Sequence, residues 1–180
     1  MIKIKEIEPE DYDTFFNYLD NHLSENGSEA NEIFQPLTTE QSILTEEWKY
    51  KFKTGFEKDF GEIGWRKLWI AENLDNQIVG HIDIRSRMEL NTTHRVLLGM
   101  GVDSQFRKLK IGQQILEFVI DYCKLDSKIC WLDLEVMSQN IPAIRLYEKY
   151  NFQQIGKTVD MFRLNNKSYN FTSMTLNVEK

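Results

Sequence analysis

Hydrophobic and polar positions change their spacing several times along the chain, and each change predicts a different element. Near the N-terminus, Ile2, Ile4 and Ile7 are interspersed with charged residues, which predicts a short first strand. Pro9 then opens a helix, because proline is favoured in a first helical turn. The apolar residues that follow lie at helical spacing, and they are Tyr12, Phe15, Phe16, Leu19 and Leu23.

The next part of the chain predicts a loop, a second helix and an irregular segment. Residues 24–37 contain an Asn-Gly-Ser sequence and a proline, which are typical of a loop. Thr38 or Thr39 is expected to cap a second helix that runs to about Thr54. Three glycines among aromatic residues predict irregular structure over residues 55–65.

The second half of the chain alternates strands with helices. Runs rich in β-branched and aromatic residues predict strands at residues 67–73, 77–85, 95–103 and 129–136. From Ile111 the spacing changes to that of a helix, and a shorter helix is predicted over residues 141–150. Strand patterns then return at residues 152–156, 159–164 and 168–176, and the last two of these flank a hairpin turn.

Taken in order, the elements are β-α-α-β-β-β-α-β-α-β-β, which predicts an α/β fold. Residues 95–136 form a strand–helix–strand unit, whose two strands are expected to be parallel. The other strands are joined largely by hairpins. We therefore expect a single domain over residues 1–180, built as a mixed sheet flanked by helices.

Composition and charge narrow the classes of function. The 180 residues are 41% hydrophobic and 28% charged, which is ordinary for a globular domain. The 22 basic and 28 acidic side chains give a net charge of −6, so we expect neither a nucleic acid nor a membrane as partner. Cys123 and Cys130 lack metal-ligand spacing, and the first residues lack a signal-peptide pattern. We expect a cytoplasmic protein without a bound metal.

The most informative segment is the connection that precedes the helix at Ile111. It carries Arg107, Lys108 and Lys110 just before the helix begins, and Gly112 lies in the first turn. A helix N-terminus presents free N–H groups and a partial positive charge, so basic residues beside it favour an anion such as phosphate. The alternative is a solvated basic loop, and the residue types alone do not separate the two.

A second segment, residues 134–152, carries a possible acid and base. Glu135 lies near the end of a strand that neighbours the 95–103 strand, and Tyr147 lies on the following helix. Asn140 precedes that helix. Each residue also has a structural interpretation, namely a solvated strand residue, a core tyrosine and a helix cap.

Together the two segments resemble the GCN5-related N-acetyltransferase (GNAT) superfamily. The residues that carry the resemblance are Arg107-x-x-Lys110-x-Gly112 and, about thirty residues later, Asn140-x-x-Ala143 with Tyr147. The superfamily's loop has the pattern [QR]-x-x-G-x-[GA], so Lys110 stands where a glycine is usual. The usual glycine after the tyrosine helix is Asn151 here. The resemblance is most specific over residues 95–156.

The resemblance implies acetyl-CoA as the acyl donor and a set of residues that bind it. A bulged strand over residues 98–102 would offer main-chain groups to the pantetheine arm, at Gly99 and at Met100, Gly101 and Val102. The two parallel strands would part after residues 102 and 136. The pyrophosphate would lie on backbone amides of the loop and first helical turn, namely Arg107, Lys108, Leu109, Lys110, Ile111, Gly112 and Gln113.

The resemblance also implies the chemistry. Asn140 would contact the cofactor, Tyr147 would protonate the departing thiolate, and Glu135 resembles a glutamate proposed as the base in ribosomal-protein N-terminal acetyltransferases. A primary amine would attack the thioester directly, without a metal. Three alternatives stay open: another acyl donor such as succinyl-CoA, a protein N-terminal or lysine acetyltransferase, and a non-catalytic acyl-CoA sensor.

The acceptor amine is expected to meet residues 24–65, where relatives build the acceptor pocket. Four lysines and nine acids give this stretch a balance of 4 − 9 = −5, and aromatic side chains lie among them. The acids are Glu25, Glu29, Glu32, Glu40, Glu46, Glu47, Glu57, Asp59 and Glu62. We expect a cationic acceptor, such as a polyamine, an aminoglycoside or a basic peptide N-terminus. A solvated acidic face is the alternative. Edge strands near the C-terminal hairpin leave a homodimer possible.

Overall fold

The computed structural model describes residues 2–28 and 31–179. Its seven-stranded mixed sheet is flanked by helices, which confirms the expected fold class and element order. The strands are β1 (Lys3–Glu6), β2 (Arg66–Glu72), β3 (Ile78–Ser86), β4 (Arg95–Val102), β5 (Trp131–Met137), β6 (Gln153–Leu164) and β7 (Lys167–Asn177). The helices are α1 (Tyr12–Ser24), α2 (Glu46–Phe56), α3 (Ile111–Leu125) and α4 (Ile141–Lys149). Within the described residues, every helix is too short or too polar to cross a bilayer.

The sheet runs in the order β1-β2-β3-β4-β5-β7-β6, and β4 with β5 is its parallel pair. Alternate side chains of each strand point to opposite faces, so each face buries its own set of apolar residues. On one face, α3 and α4 cover the larger core, which includes Leu98, Leu134 and Val136. On the other face, α1 and α2 pack on the first strands, where Leu68 and Ile70 are fully buried.

The second helix begins later than the sequence predicts. Thr38 caps only a 3-10 turn over Thr39–Gln41. The cap of α2 is Thr45, whose side chain accepts a hydrogen bond from the first turn. Between the two caps, Leu44 N donates to the Asp20 carboxylate at 2.8 Å, which holds this stretch against α1. The prediction was wrong because a capping pattern cannot indicate a hydrogen bond between distant elements.

The two parallel strands separate soon after they meet. β4 and β5 pair only from Arg95–Leu97 to Trp131–Asp133. Further along, β4 keeps its partner β3 and β5 keeps its partner β7, so each strand retains one neighbour. The expected parting after residues 102 and 136 is therefore wrong. The gap opens several residues earlier, and it is correspondingly longer.

The expected bulge in β4 is also wrong on the side that faces β3. The pairing of β3 with β4 runs from Gly80–Val102 to Ser86–Val96 without a register shift. The glycines of β4 therefore do not mark an inserted residue. The space over these glycines is instead occupied by side chains of α1 and β3.

One buried side chain organises the loop after α1. Asn26 is fully buried, and its Oδ1 accepts hydrogen bonds from Phe34 N at 2.8 Å and Gln35 N at 2.9 Å. Its Nδ2 donates to the carbonyls of Gln35 and Leu37, each at 3.2 Å, and to Ser42 Oγ at 3.0 Å. A single amide thus supplies hydrogen-bond partners to backbone groups of Phe34, Gln35 and Leu37.

We predict that Asn26→Ala lowers the free energy of unfolding by roughly 3 kcal/mol, because several buried polar groups lose their partner at once. Guanidinium denaturation followed by circular dichroism measures this change. Asn21→Ala, at an exposed position of α1, is the matched control and should shift the value by about 0.5 kcal/mol or less. Equal effects of the two substitutions would contradict the organising role of Asn26.

Candidate active site

The main chain of β4 alternates between two neighbours. Asp103 N donates to Val79 O at 3.1 Å, which identifies the residues whose amide and carbonyl groups face β3. Gly99 and Gly101 belong to that set, so the expectation that their main-chain groups face the gap is wrong. The groups directed toward the gap belong to the alternate residues Leu98, Met100 and Val102.

The N-terminus of α3 lies beside the end of β4. A Cβ added at Gly112 would lie 3.5 Å from Met100 Cε and 3.6 Å from Val102 Cγ2. Gln114 N donates to Lys110 O at 3.1 Å. The preceding amides therefore lack an intrahelical acceptor. These free amides belong to Ile111, Gly112 and Gln113.

The loop before α3 is strained. Lys108 and Lys110 adopt φ angles of 65° and 63°, in the left-handed region. For a residue other than glycine this conformation costs roughly 1–2 kcal/mol, and such strain clusters at functional segments. Leu109 between them is exposed. Lys110 adopts a left-handed conformation at the position where the family pattern has a glycine.

The Arg107 side chain is engaged within the protein. Its Nε donates to Val102 O at 3.2 Å, and its Nη1 donates to Asn31 Oδ1. Its Nη2 lies 3.5 Å from Glu25 Oε2, and its guanidinium lies 5.9 Å from the centre of the Phe34 ring. These contacts turn the guanidinium toward the loop after α1. Its main-chain N–H donates to Ser104 O at 3.4 Å, so the expectation that this amide is free for an anion at α3 is wrong.

The helix that follows β5 is fixed by its cap and by α3. Asn140 Oδ1 accepts a hydrogen bond from Ala143 N at 3.3 Å, so the structural interpretation of Asn140 as a cap is confirmed. The amide nitrogen of its side chain is the group left for a cofactor. Gln113 Oε1 accepts from Lys149 Nζ at 2.9 Å, which joins α3 to α4.

Tyr147 is buried in the core between α4 and the sheet. Its ring centre lies 5.6 Å from that of Phe152. Burial raises the pKa of the Tyr147 phenol, because the charged phenolate would lose its hydration. The phenol therefore keeps its proton throughout the neutral range, as a general acid requires.

Glu135 and Tyr147 lie on opposite faces of the sheet. Glu135 is exposed on β5, and it shares a face with Asp133, two residues earlier. Leu134 and Val136 point to the other face, into the core that contains Tyr147. A carboxylate on one face and a phenol on the other therefore lie on either side of the layer in which the two strands separate.

A buried ion-pair network holds β4 and β5 together where their pairing ends. Arg95 donates to both oxygens of Asp133, at 2.8 and 2.5 Å. Arg87 Nη1 lies 3.0 Å from Asp133 Oδ2, and Thr175 Oγ1 donates to Asp133 Oδ1 at 2.6 Å. Burial alone would raise the pKa of Asp133, but the hydrogen bonds from Arg95 and Thr175 outweigh it and hold the pKa below its usual value.

Two polar residues that are absent from the predicted site lie over Gly99. A Cβ added at Gly99 would lie 2.6 Å from Asp83 Oδ1 and 2.8 Å from Arg85 Nη1. Arg85 Nη1 also donates to Asp83 Oδ2 at 3.0 Å. Both side chains share the face of Glu135, so they border the candidate acceptor side. The signal in the sequence was the glycine within the strand, which indicates a close approach by other atoms.

Two histidines lie over Gly101 in the same way. A Cβ there would lie 2.6 Å from both His22 Nε2 and His81 Cε1. Tyr18 OH and His81 Nδ1 share a hydrogen bond of 3.1 Å. His22 Nδ1 and Glu25 Oε2 are buried without a hydrogen-bond partner, 4.0 Å apart. Across residues 2–28 and 31–179, no three His, Cys, Asp or Glu side chains group as metal ligands.

Both imidazoles are neutral at physiological pH. Burial lowers the pKa of His22 to about 3, with His81 and Arg107 adding to the effect. Burial also lowers the pKa of His81 to about 4, since the nearby Asp83 compensates only in part. A depressed histidine pKa stabilises the fold above the ordinary value of 6.5, and this contribution is lost as the pH falls toward the folded value.

We predict that the free energy of unfolding decreases as the pH is lowered from 6.5 to 4. The imidazoles bind protons in the unfolded chain but stay neutral in the folded protein. His81→Gln keeps a hydrogen-bonding group for Tyr18 and should remove roughly 2 kcal/mol of the loss between pH 7 and pH 5. Chemical denaturation across this range measures the slope. Asn21→Gln, an exposed substitution on α1 that removes no titratable group, is the control and should keep the wild-type slope. Identical slopes for wild type and His81→Gln would refute the assignment.

Comparison with known proteins gives the family. Residues 37–152 match the profile described as "Acetyltransferase (GNAT) family". The L-amino acid N-acetyltransferase AaaT of Escherichia coli is 28% identical over 96 residues, which cover 53% of this chain and 59% of that protein. An N-alpha-acetyltransferase of Sulfolobus acidocaldarius is 25% identical over 132 residues, 69% of this chain and 76% of its own length.

A solved acetyltransferase of the GNAT family from Streptococcus pneumoniae has a TM-score of 0.80 at 21% identity. The superposition covers 98% of this chain and 99% of the other, so the two share a fold over almost their whole length. The family profile covers more than half of the chain and includes β4, β5 and the connection before α3. The chain therefore belongs to the acetyltransferase (GNAT) family.

Proposed function

We propose that this enzyme transfers an acetyl group from acetyl-CoA to the α-amino group of an amino acid or of a peptide N-terminus. The observation that carries the proposal is the gap between β4 and β5. Free amides of α3 lie beside the end of β4, and Glu135 and Tyr147 lie on opposite faces. A long thioester with a phosphate at its far end fits this arrangement.

The donor-binding residues follow from the groups that are free. We propose that the main-chain groups of Met100 and the main-chain amide of Val102 bind the pantetheine arm, because Arg107 already occupies the Val102 carbonyl. Gly101 contributes space for the histidines behind them. The amides from Lys108 to Gln113 would hold the pyrophosphate, and the side-chain amide of Asn140 would contact the cofactor. Residues 95–156 then form the donor side and residues 24–65 the acceptor side of one domain.

Acetyl-CoA supplies an acetyl group that is activated as a thioester. On the face of α1, Glu135 would take a proton from the acceptor ammonium, directly or through water, so that a neutral amine attacks. A main-chain amide of β4 that faces the gap would donate to the developing negative oxygen. On the face of α4, the Tyr147 phenol would give its proton to the departing sulfur.

The acceptor side suits a molecule that carries an ammonium beside a carbonyl or a carboxylate. Glu135 offers a carboxylate to the ammonium. Arg85 Nη1 donates one hydrogen bond to Asp83, and the Arg85 side chain is 35% exposed. Its other N–H groups are therefore available to an oxygen of the acceptor. The relatives named above act on an L-amino acid and, as an N-alpha-acetyltransferase, on an α-amino group. Both acceptors have this chemistry.

The expectation of a cationic acceptor from residues 24–65 is untested, and it competes with the α-amino acceptor proposed here. Glu46 and Glu47 are exposed and pair with Lys49 at 2.7 Å and Lys51 at 2.6 Å, and Glu29 lies outside the described residues. Such exposed pairs produce a weak long-range field. A cytoplasmic location and a homodimer that uses the edge strand β6 likewise stay predictions.

We predict that Tyr147→Phe lowers kcat roughly 100-fold or more, because the packing is kept and the general acid is lost. Release of free CoA in the presence of an accepted amine measures this effect. Acetyl-CoA should still raise the melting temperature of the variant, since it binds the folded state. Tyr122→Phe in the second half of α3 is the control and should keep the wild-type kcat. An unchanged kcat for Tyr147→Phe, with chemistry rate-limiting, would reduce Tyr147 to a core residue.

We predict that α-amino acceptors are used with a higher kcat/KM than spermidine or an aminoglycoside. A panel of L-amino acids and short peptides, assayed with acetyl-CoA at low and high salt, measures this preference. Arg85→Met should lower kcat/KM for free amino acids roughly tenfold, because a charge-assisted hydrogen bond to the carboxylate is lost. Faster reaction with spermidine at low salt, weakened at high salt, would favour the cationic acceptor expected from residues 24–65.

A further inference from the structure

Arg107 belongs to two parts of the proposed site at once. Its main chain enters the loop whose amides face the donor side, one residue before the strained Lys108. Its side chain reaches the opposite way, to Asn31, Glu25 and Phe34. The contact to Val102 O also ties the guanidinium to the end of β4. One residue thus connects the donor loop, the strand edge and the loop after α1.

The segment that Arg107 contacts is itself a unit. Glu25 accepts a hydrogen bond from Ser104 Oγ, just beyond β4, and carries the carboxylate that pairs with Arg107. Asn26 fixes Phe34 through the hydrogen bond to its amide. This loop belongs to the proposed acceptor side. The conformation in which the loop is held therefore determines the shape of the acceptor side.

The contacts continue from Arg107 to the centre of the sheet. The Phe34 ring is stacked on His22, with the ring centres 4.9 Å apart and the planes at 30°. His22 in turn fills the space over Gly101, where a Cβ would lie 2.6 Å from its Nε2. Gly101 is flanked by Met100 and Val102, whose main-chain groups face the gap. A displacement of Arg107 therefore affects both the loop after α1 and the edge of β4 that faces the gap.

We propose that Arg107 is a positioning residue that couples donor binding to the order of the loop after α1, an inference that rests on the proposed function. An anion on the amides from Lys108 to Gln113 fixes the main chain that directly follows Arg107, and with it the residue from which the guanidinium extends. The guanidinium then holds Glu25, Asn31 and Phe34 in one arrangement. Because such coupling is reciprocal, an acceptor that orders the loop strengthens donor binding by the same factor.

Hydrogen exchange with CoA as the probe tests this proposal. In the wild-type protein, CoA should slow exchange at residues 111–116, and it should also slow exchange at residues 31–42 about fivefold or more. In Arg107→Met, at saturating CoA, the slowing at residues 111–116 should remain. The slowing at residues 31–42 should fall below about twofold. A role limited to stability would change exchange equally with and without CoA.

Glu25→Gln is the second variant, because it keeps an oxygen for Ser104 and removes only the charge that faces Arg107. It should also reduce the CoA-dependent slowing at residues 31–42, and it serves alone if Arg107→Met does not fold. Lys124→Met, at the far end of α3, should behave as wild type. Full slowing at residues 31–42 in the variants overturns the coupling. Slowing at residues 111–116 alone in the wild type overturns it as well. No effect of CoA anywhere overturns the proposed function too.

Discussion

The structure depends on one constraint: β4 and β5 pair for three residues and then separate. Each strand satisfies half of its main-chain groups on its outer neighbour, β3 or β7, and leaves a row of groups facing the gap. Main-chain N–H and C=O groups that are removed from water require hydrogen-bond partners. A ligand that enters the gap can therefore bind to this row of groups. The buried Asp133, with Arg95, Arg87 and Thr175, fastens the two strands at their last paired register.

The glycines of β4 are explained by this arrangement. A side chain at residue 99 or 101 would occupy the space taken by Asp83 and Arg85 or by His22 and His81. Because the glycines have no side chain, charged and polar groups of β3 and α1 can extend over β4 toward the gap. On the opposite face, Met100 and Val102 face α3, so the same strand keeps an apolar core behind the site.

The backbone of the loop before α3 is strained and is held in place by neighbouring contacts. Lys108 and Lys110 adopt left-handed conformations that glycine would adopt more easily. The loop is stabilised from outside, by the Arg107 contacts to Val102, Asn31 and Glu25. Asn151 after α4 has φ 66°, in keeping with the tolerance of asparagine for this region. Lysine and asparagine thus adopt the left-handed conformation at two positions where the family pattern has glycine.

The sequence by itself determined the order of elements, the parallel pair and the helix N-terminus that follows Arg107. These features depend on local spacing, on turn residues and on chain connectivity, all of which are written in neighbouring residues. Tertiary structure alone decided where β4 and β5 separate, which residues of β4 face the gap, and which way the Arg107 side chain points. It also brought Asp83, Arg85, His22 and His81 to the site from β3 and α1. Their placement depends on cross-strand register and on contacts between residues far apart in the chain, which no local pattern encodes.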